Sequence, residues 1–177
     1  FALTGCGGIS ILNSQDPKDL YSDQFLQTIG GIKEKYRQGQ TLEALQALQA
    51  MKLETLLPSE RSLRLNLIGV IHFSRDEFDS AVQNFENALA TSRLDHSLTA
   101  QIYLNLSSTY YRMGDLERAY STLDQGDFMK LSGEEAKKYH LLNLKLSQEL
   151  NRDEKVLPSL FHYLGQKKKL SELKSDT

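Results

Sequence analysis

The sequence predicts an all-α fold, a right-handed superhelix of about four helix hairpins, and three observations point to it. Set against itself, the chain aligns Ala44, Ala81 and Ala119 at intervals of 37 and 38 residues. The same residue types recur around each alanine: Leu48, Phe85 and Leu123 follow it, and Tyr36, Phe73 and Tyr111 precede it. Ahead of each alanine also lie Gly39, Asp76 and Gly114, at the turn between two helices. A unit repeated at this period cannot bury its apolar face alone, so neighbouring copies must stack.

The first hairpin is read from Phe25, Leu26, Ile29, Ile32 and Tyr36 at helical spacing, followed by Leu42, Leu45, Leu48 and Met51. Gly30-Gly31 interrupt its first helix at a cost of about 1 kcal/mol each relative to alanine, which predicts close packing or a kink. The second hairpin carries Leu65, Ile68, Gly69 and His72, then Phe78, Ala81, Phe85 and Ala88; the third carries Tyr103, Leu106, Ser107 and Tyr110, then Leu116, Ala119 and Leu123. Gly69 and Ser107, facing Ala81 and Ala119, let antiparallel helices approach to the short end of the usual range of about 8–10 Å. Phe78 and Phe85 fill the gap to the adjoining pair. The fourth hairpin opens with a capping box, Ser132 with Glu135, and presents Tyr139, Leu142, Leu146 and Leu150. Its second helix falls in "DEKVLPSLFHYLGQ", with Pro158 near the start or at a bend, and "KKKLSELKSDT" caps the stack. The stretches "TSRLDHSLT" and "QGDFMKLSGEE" are connectors, so eight or nine helices are expected.

The residues Leu65, Ile68, Gly69, His72, Phe78, Ala81, Phe85 and Ala88 resemble the packing pattern of the tetratricopeptide repeat, with its expected aromatic replaced by Leu65 and His72. The following unit is similar to it through Tyr103, Leu106, Ser107, Tyr110, Gly114, Leu116, Ala119 and Leu123. The resemblance implies a concave groove lined by the first helix of each pair, holding an extended or helical segment of a partner protein. The corresponding side chains are Lys33, Tyr36 and Arg37; Asn66, Val70 and Phe73; Leu104, Ser108, Tyr111 and Arg112; and His140, Leu144 and Ser147. Aromatic rings beside arginine forks are the residue types enriched at binding hot spots. The same rings are equally suited to packing against the next repeat. Val70, Ser108 and Leu144 stand where some members of the family place the Lys and Asn of a carboxylate clamp, so that ligand is not implied here.

Composition excludes other classes. With 40% hydrophobic and 25% charged residues and a net charge of −2, the chain can bury an ordinary globular core. Three prolines and no tryptophan suit a helical protein better than a sandwich of many turns. It has no run of about 18 apolar residues to span a membrane. Nucleic acid needs a clustered basic face, and Lys167-Lys168-Lys169 reads as a solvated helix face. His72, His96, His140 and His162 lack metal-ligand spacing, and "IGGI" lacks the rest of a phosphate-binding fingerprint. The acidic residues are assigned to outward, solvated faces. Neither catalysis, nor a metal, nor a cofactor is expected.

The chain start carries a second resemblance. Leu3-Thr4-Gly5-Cys6 is similar to a bacterial lipobox: small side chains admit a peptidase to an extended backbone, and Cys6, the sole cysteine, offers the thiol for diacylglycerol. On this reading residues 1–5 are the remnant of an export signal, 6–20 a lipidated flexible tether, and 21–177 the helical repeat domain. In a diderm bacterium, Gly7 after the cysteine implies an outer-membrane lipoprotein facing the periplasm. A repeat region directly after a lipobox resembles the activators of penicillin-binding proteins, and also pilotins and β-barrel assembly lipoproteins. Two functions follow: an adaptor that binds an envelope protein or peptide, with a penicillin-binding protein as one candidate, or a rigid spacer for a further C-terminal domain.

Overall fold

The structure, a computed structural model, describes residues 20–91, 96–126, 128, 131 and 133–152. Cys6 and the rest of residues 1–19, the Ser132 cap, Pro158, His162 and the lysine run lie outside the described residues. The described residues hold seven α-helices: α1 (Asp23–Arg37), α2 (Thr41–Gln49), α3 (Pro58–Ser74), α4 (Phe78–Leu89), α5 (His96–Arg112), α6 (Leu116–Leu123) and α7 (Gly133–Glu149), with a 3-10 turn at Leu53–Thr55 between α2 and α3. No strand occurs among them. Helix α5 starts at His96, inside the stretch expected to be a connector.

The reversals within the hairpins share one geometry. Gly39, Asp76 and Gly114 adopt left-handed backbone angles, φ 81°, 58° and 81°, and Asn151 after α7 joins them at 53°. At each, the left-handed residue's N–H bonds back to a carbonyl of the last turn and the next residue's N–H reaches one further. Gly114 donates to Tyr111 and Asp115 to Tyr110; Asn151 donates to Gln148 and Arg152 to Ser147. These bonds satisfy carbonyls that the helix end would leave open. Only glycine adopts such angles freely, with Asn and Asp the usual substitutes, so the turn residues follow from the geometry.

Each helix packs on the next in sequence, and first helices also pack on first helices, α3 on α5 and α5 on α7. This arrangement is an all-α superhelix of stacked helix hairpins. The crossing of α3 and α4 is tight at Gly69: a Cβ there would lie 2.6 Å from the ring of Phe85, which is fully buried. The next hairpin replaces that glycine with Ser107, whose hydroxyl donates to the carbonyl of Ala119 on α6 at 2.6 Å. Ser62 makes the same kind of bond from α3 to Ala88 at 3.0 Å.

The apolar interior forms two clusters. One gathers Phe25, Ile29 and Ile32 of α1, Ala44 and Leu48 of α2, Leu56, and Ile68 and Ile71 of α3. The other joins α4 to α7 around Phe85, Ile102, Ala119, Leu123 and Leu146. Three expectations are corrected. Leu26 and Leu42 are 47% and 55% exposed rather than core, because their helices bury one narrow stripe and these two fall beside it. Gly30 and Gly31 are exposed within a continuous helix, with nothing within 4 Å of a Cβ at either, so neither marks a close approach.

Hydrogen bonds between side chains and neighbouring units restate the repeat. Ser22 with Glu60, Ser59 with Leu20, Asn105 with Asn66, Tyr111 with Glu149, Arg112 with Asp76 and Arg152 with Glu117 are separated by 35 to 39 residues. Each spans one repeat.

Candidate partner-binding face

The last turns of α1, α3 and α5 carry Tyr36, Phe73 and Tyr111, and each ring lies against the first helix of the following hairpin. Tyr36 shares a cavity of about 30 Å³ with Ile32, Lys33, Leu48, Leu67, Val70 and Ile71. Phe73 packs against Phe78 with ring centroids 5.9 Å apart, and the guanidinium of Arg112 sits 5.7 Å from its centroid. Arg112 also donates to Asp76 at 2.8 Å, which holds the fork over the ring. Tyr111 donates its hydroxyl to Glu149 at 2.7 Å, and the Lys145 ammonium stands 5.9 Å from its ring. The bond to Glu149, then burial and the carboxylate charge, hold the Tyr111 hydroxyl above the usual phenol range.

All three rings are half-buried. They therefore do two things: inner surfaces seal the seam between consecutive first helices, and outer edges remain available along it. Lys33 and Arg37 are exposed beside Tyr36, with Arg37 paired to Glu34 at 3.3 Å. Arg112 is exposed beside Phe73. Lys145 and Glu149 join the line through Tyr111, and nothing in the sequence singles them out except that Glu149 stands one repeat period after Tyr111.

Other expected groove residues have different roles. Asn66 is 4% exposed and accepts from the Asn105 amide at 2.9 Å, so it ties α3 to α5. Leu104 and Ser147 are buried and cannot present themselves to a ligand. Ser108 returns its hydroxyl to the Leu104 carbonyl of its own helix at 2.7 Å. His140 is half-buried and meets Tyr139 edge-on at 5.0 Å, on α7, beyond the three-ring line. The structural positions stand as a set: Ala44, Ala81, Ala119, Gly69, Phe85 and Ser107 are buried, and Gly114 makes the turn.

The face offers aromatic edges, cations and acceptors in a row, a chemistry suited to holding a chain. Among the described residues no group of three or more His, Cys, Asp or Glu is placed to hold a metal ion, and no helix is long and apolar enough to cross a membrane. His72 does have a partner, Glu77, at 2.5 Å from Nδ1, and Arg75 bonds the other carboxylate oxygen at 2.8 Å. Those two hydrogen bonds hold the Glu77 carboxyl below its ordinary range. The cluster closes the α3–α4 turn.

The succession of such hairpins, each turned by a left-handed residue and crossed at a small one, has a counterpart among known families. Residues 61–126 match the tetratricopeptide repeat. The matched tetratricopeptide stretch covers most of α3 and all of α4, α5 and α6. The chain is also similar to the crystal structure of MamA, with a TM-score of 0.62 and 16% identity over 88% of this chain and 86% of that one. At that identity the likeness establishes the fold. No curated protein matches the sequence.

Proposed function

We propose that the chain is a non-catalytic adaptor that takes an extended or helical segment of a partner protein along α1, α3, α5 and α7. One observation carries this reading: Tyr36, Phe73 and Tyr111, one repeat apart, keep outer edges free while Lys33, Arg37, Arg112 and Lys145 surround them. Rings already held by the seam lose little freedom when a partner covers them, which favours binding. The tetratricopeptide match over the central hairpins supports the same reading.

Because the rings also seal the seam, truncating them would confound binding with stability. The exposed cations separate the two. Lys33→Glu, Arg37→Glu and Lys145→Glu together should weaken capture of the partner by tenfold or more while the circular dichroism spectrum stays helical. Unchanged affinity would leave only the spacer role.

The finer reading places this adaptor at an envelope membrane, held by lipid on Cys6 and facing the periplasm, with an envelope protein such as a penicillin-binding protein as its partner. The support is the Leu3-Thr4-Gly5-Cys6 sequence. Cys6→Ser should move the protein from the membrane to the soluble fraction; retention on the membrane would count against acylation.

A further inference from the structure

We infer that the α1–α2 hairpin is a separately releasable unit, clasped onto α3 by a buried acid and a buried base that cap its two helix ends. The acid is Glu60 and the base Arg64, one turn apart on α3 and only 1% and 8% exposed. Glu60 Oε1 accepts both the backbone N–H and the hydroxyl of Ser22, each at 2.7 Å. Ser22 is the N-cap of α1, where a helix presents its positive end. Arg64 donates from Nε to the Leu48 carbonyl at 2.6 Å and from Nη2 to that of Gln49 at 3.4 Å. Those carbonyls form the negative end of α2. Since α1 and α2 run antiparallel, both ends lie on one side of the hairpin, and α3 answers each with the opposite charge.

No ion pair joins Glu60 to Arg64 among the described residues; helix-end backbone satisfies each. Beside them Ser59 donates to the Leu20 carbonyl, a further tie at the same end. Acidic residues of this sequence are expected on solvated faces, and Glu60 departs from that because its acceptor oxygens meet backbone donors that would otherwise be stranded.

The apolar contacts permit release. The hairpin packs into its own cluster against Ile68 and Ile71, whereas α4 to α7 form the other, and partly buried Leu63 is common to both. Lifting α1–α2 therefore opens one cluster and leaves the other closed. It also returns two ionised groups to water, recovering hydration that burial had removed. A clasp made of charges holds one geometry well and, once broken, gains little from partial contact. The hairpin carries Lys33, Tyr36 and Arg37, so its release shortens the face formed by α1, α3 and α5.

Native-state amide hydrogen exchange on the whole chain tests this, because units that open separately exchange separately. In the unaltered protein, amides of 23–49 should exchange together, at least tenfold faster than those of α5 and α6. Glu60→Ala and Arg64→Ala should each raise the 23–49 rates tenfold or more with α5 and α6 unchanged. Equal protection of both regions in the unaltered protein, or equal acceleration of both in either variant, would overturn the inference. Should Glu60→Ala fail to fold, the unaltered protein and Ser22→Ala, which removes one of the clasp's hydrogen bonds, still decide it.

Discussion

Gly69 shows what one hydrogen atom in place of a methyl group does. The Phe85 ring is fully buried and a Cβ at Gly69 would lie 2.6 Å from it, so Gly69→Ala should lower stability by about 1–3 kcal/mol, read by urea unfolding. The glycines at the turns differ in kind. Gly39 and Gly114 have open space where a Cβ would go, and their constraint is the backbone angle alone. Alanine at either should cost about 1–2 kcal/mol. Asn151→Gly, relieving a left-handed angle at a non-glycine residue, should instead stabilise by about 0.5 kcal/mol. The charged residues set the pH range. Hydrogen bonds from His72 and Arg75 hold Glu77 low, and those from the Arg118 backbone and side chain hold Asp115 low. A carboxylate whose folded pKa is depressed contributes above its unfolded value of about 4 and loses that contribution as pH falls through the folded one. Tyr110, raised chiefly by burial, and Tyr111, raised by Glu149, act oppositely. Their contribution is complete below about pH 10 and is lost as pH rises through the folded values. A thermal-unfolding series should therefore show a plateau from about pH 5 to 9 that falls at both ends, and Tyr111→Phe should reduce the alkaline fall.

Between helices, two serines do the work that glycine does at Gly69 and add a bond. Ser62→Ala and Ser107→Ala should each cost about 1 kcal/mol by loss of a buried hydrogen bond. The two bonds belong to different hairpins, so the double variant should show the sum within about 0.5 kcal/mol, measured by chemical denaturation. This scale also shows how far the sequence could be read. Repetition at 37 and 38 residues located the turns at Gly39, Asp76 and Gly114, since each needs a special backbone angle and few residues supply it. Asn151 occupies the same place 37 residues after Gly114, but asparagine is also common on surfaces and so gives no distinct turn signal. Leu42 and Leu26 differ from expectation for a related reason. Periodicity identifies a helix readily but does not say how wide a stripe its neighbours cover, and here the stripe is narrow. Arg64 and Asn66 carry no local signal: each finds its partner on another helix, and only the fold brings the two together. Glu60 has a local role, accepting from the Leu57 N–H at the start of its own helix, but its tie to Ser22 appears only in the fold.

For the molecule as a whole, binding and stability share the same rings. A partner segment that covers Tyr36, Phe73 and Tyr111 should stabilise the folded chain by about 2.7 kcal/mol at a hundredfold excess over its Kd, observed as a rise in Tm. The triple variant at Lys33, Arg37 and Lys145 should show little of that rise. The sequence indicated a row of side chains on successive first helices. Which of them face outward was legible for Lys33, Arg37 and Arg112 and not for Leu104 or Ser147, which are buried in the folded chain.

The side-chain ties spaced 35 to 39 residues apart have an architectural consequence. Every fastening reaches only its immediate neighbour, and the spacing already varies by several residues without loss of a tie. Such a molecule has no fixed length built into it. A lineage could lengthen a connector, delete one pair of rods or copy another, and the remaining joints would close as before.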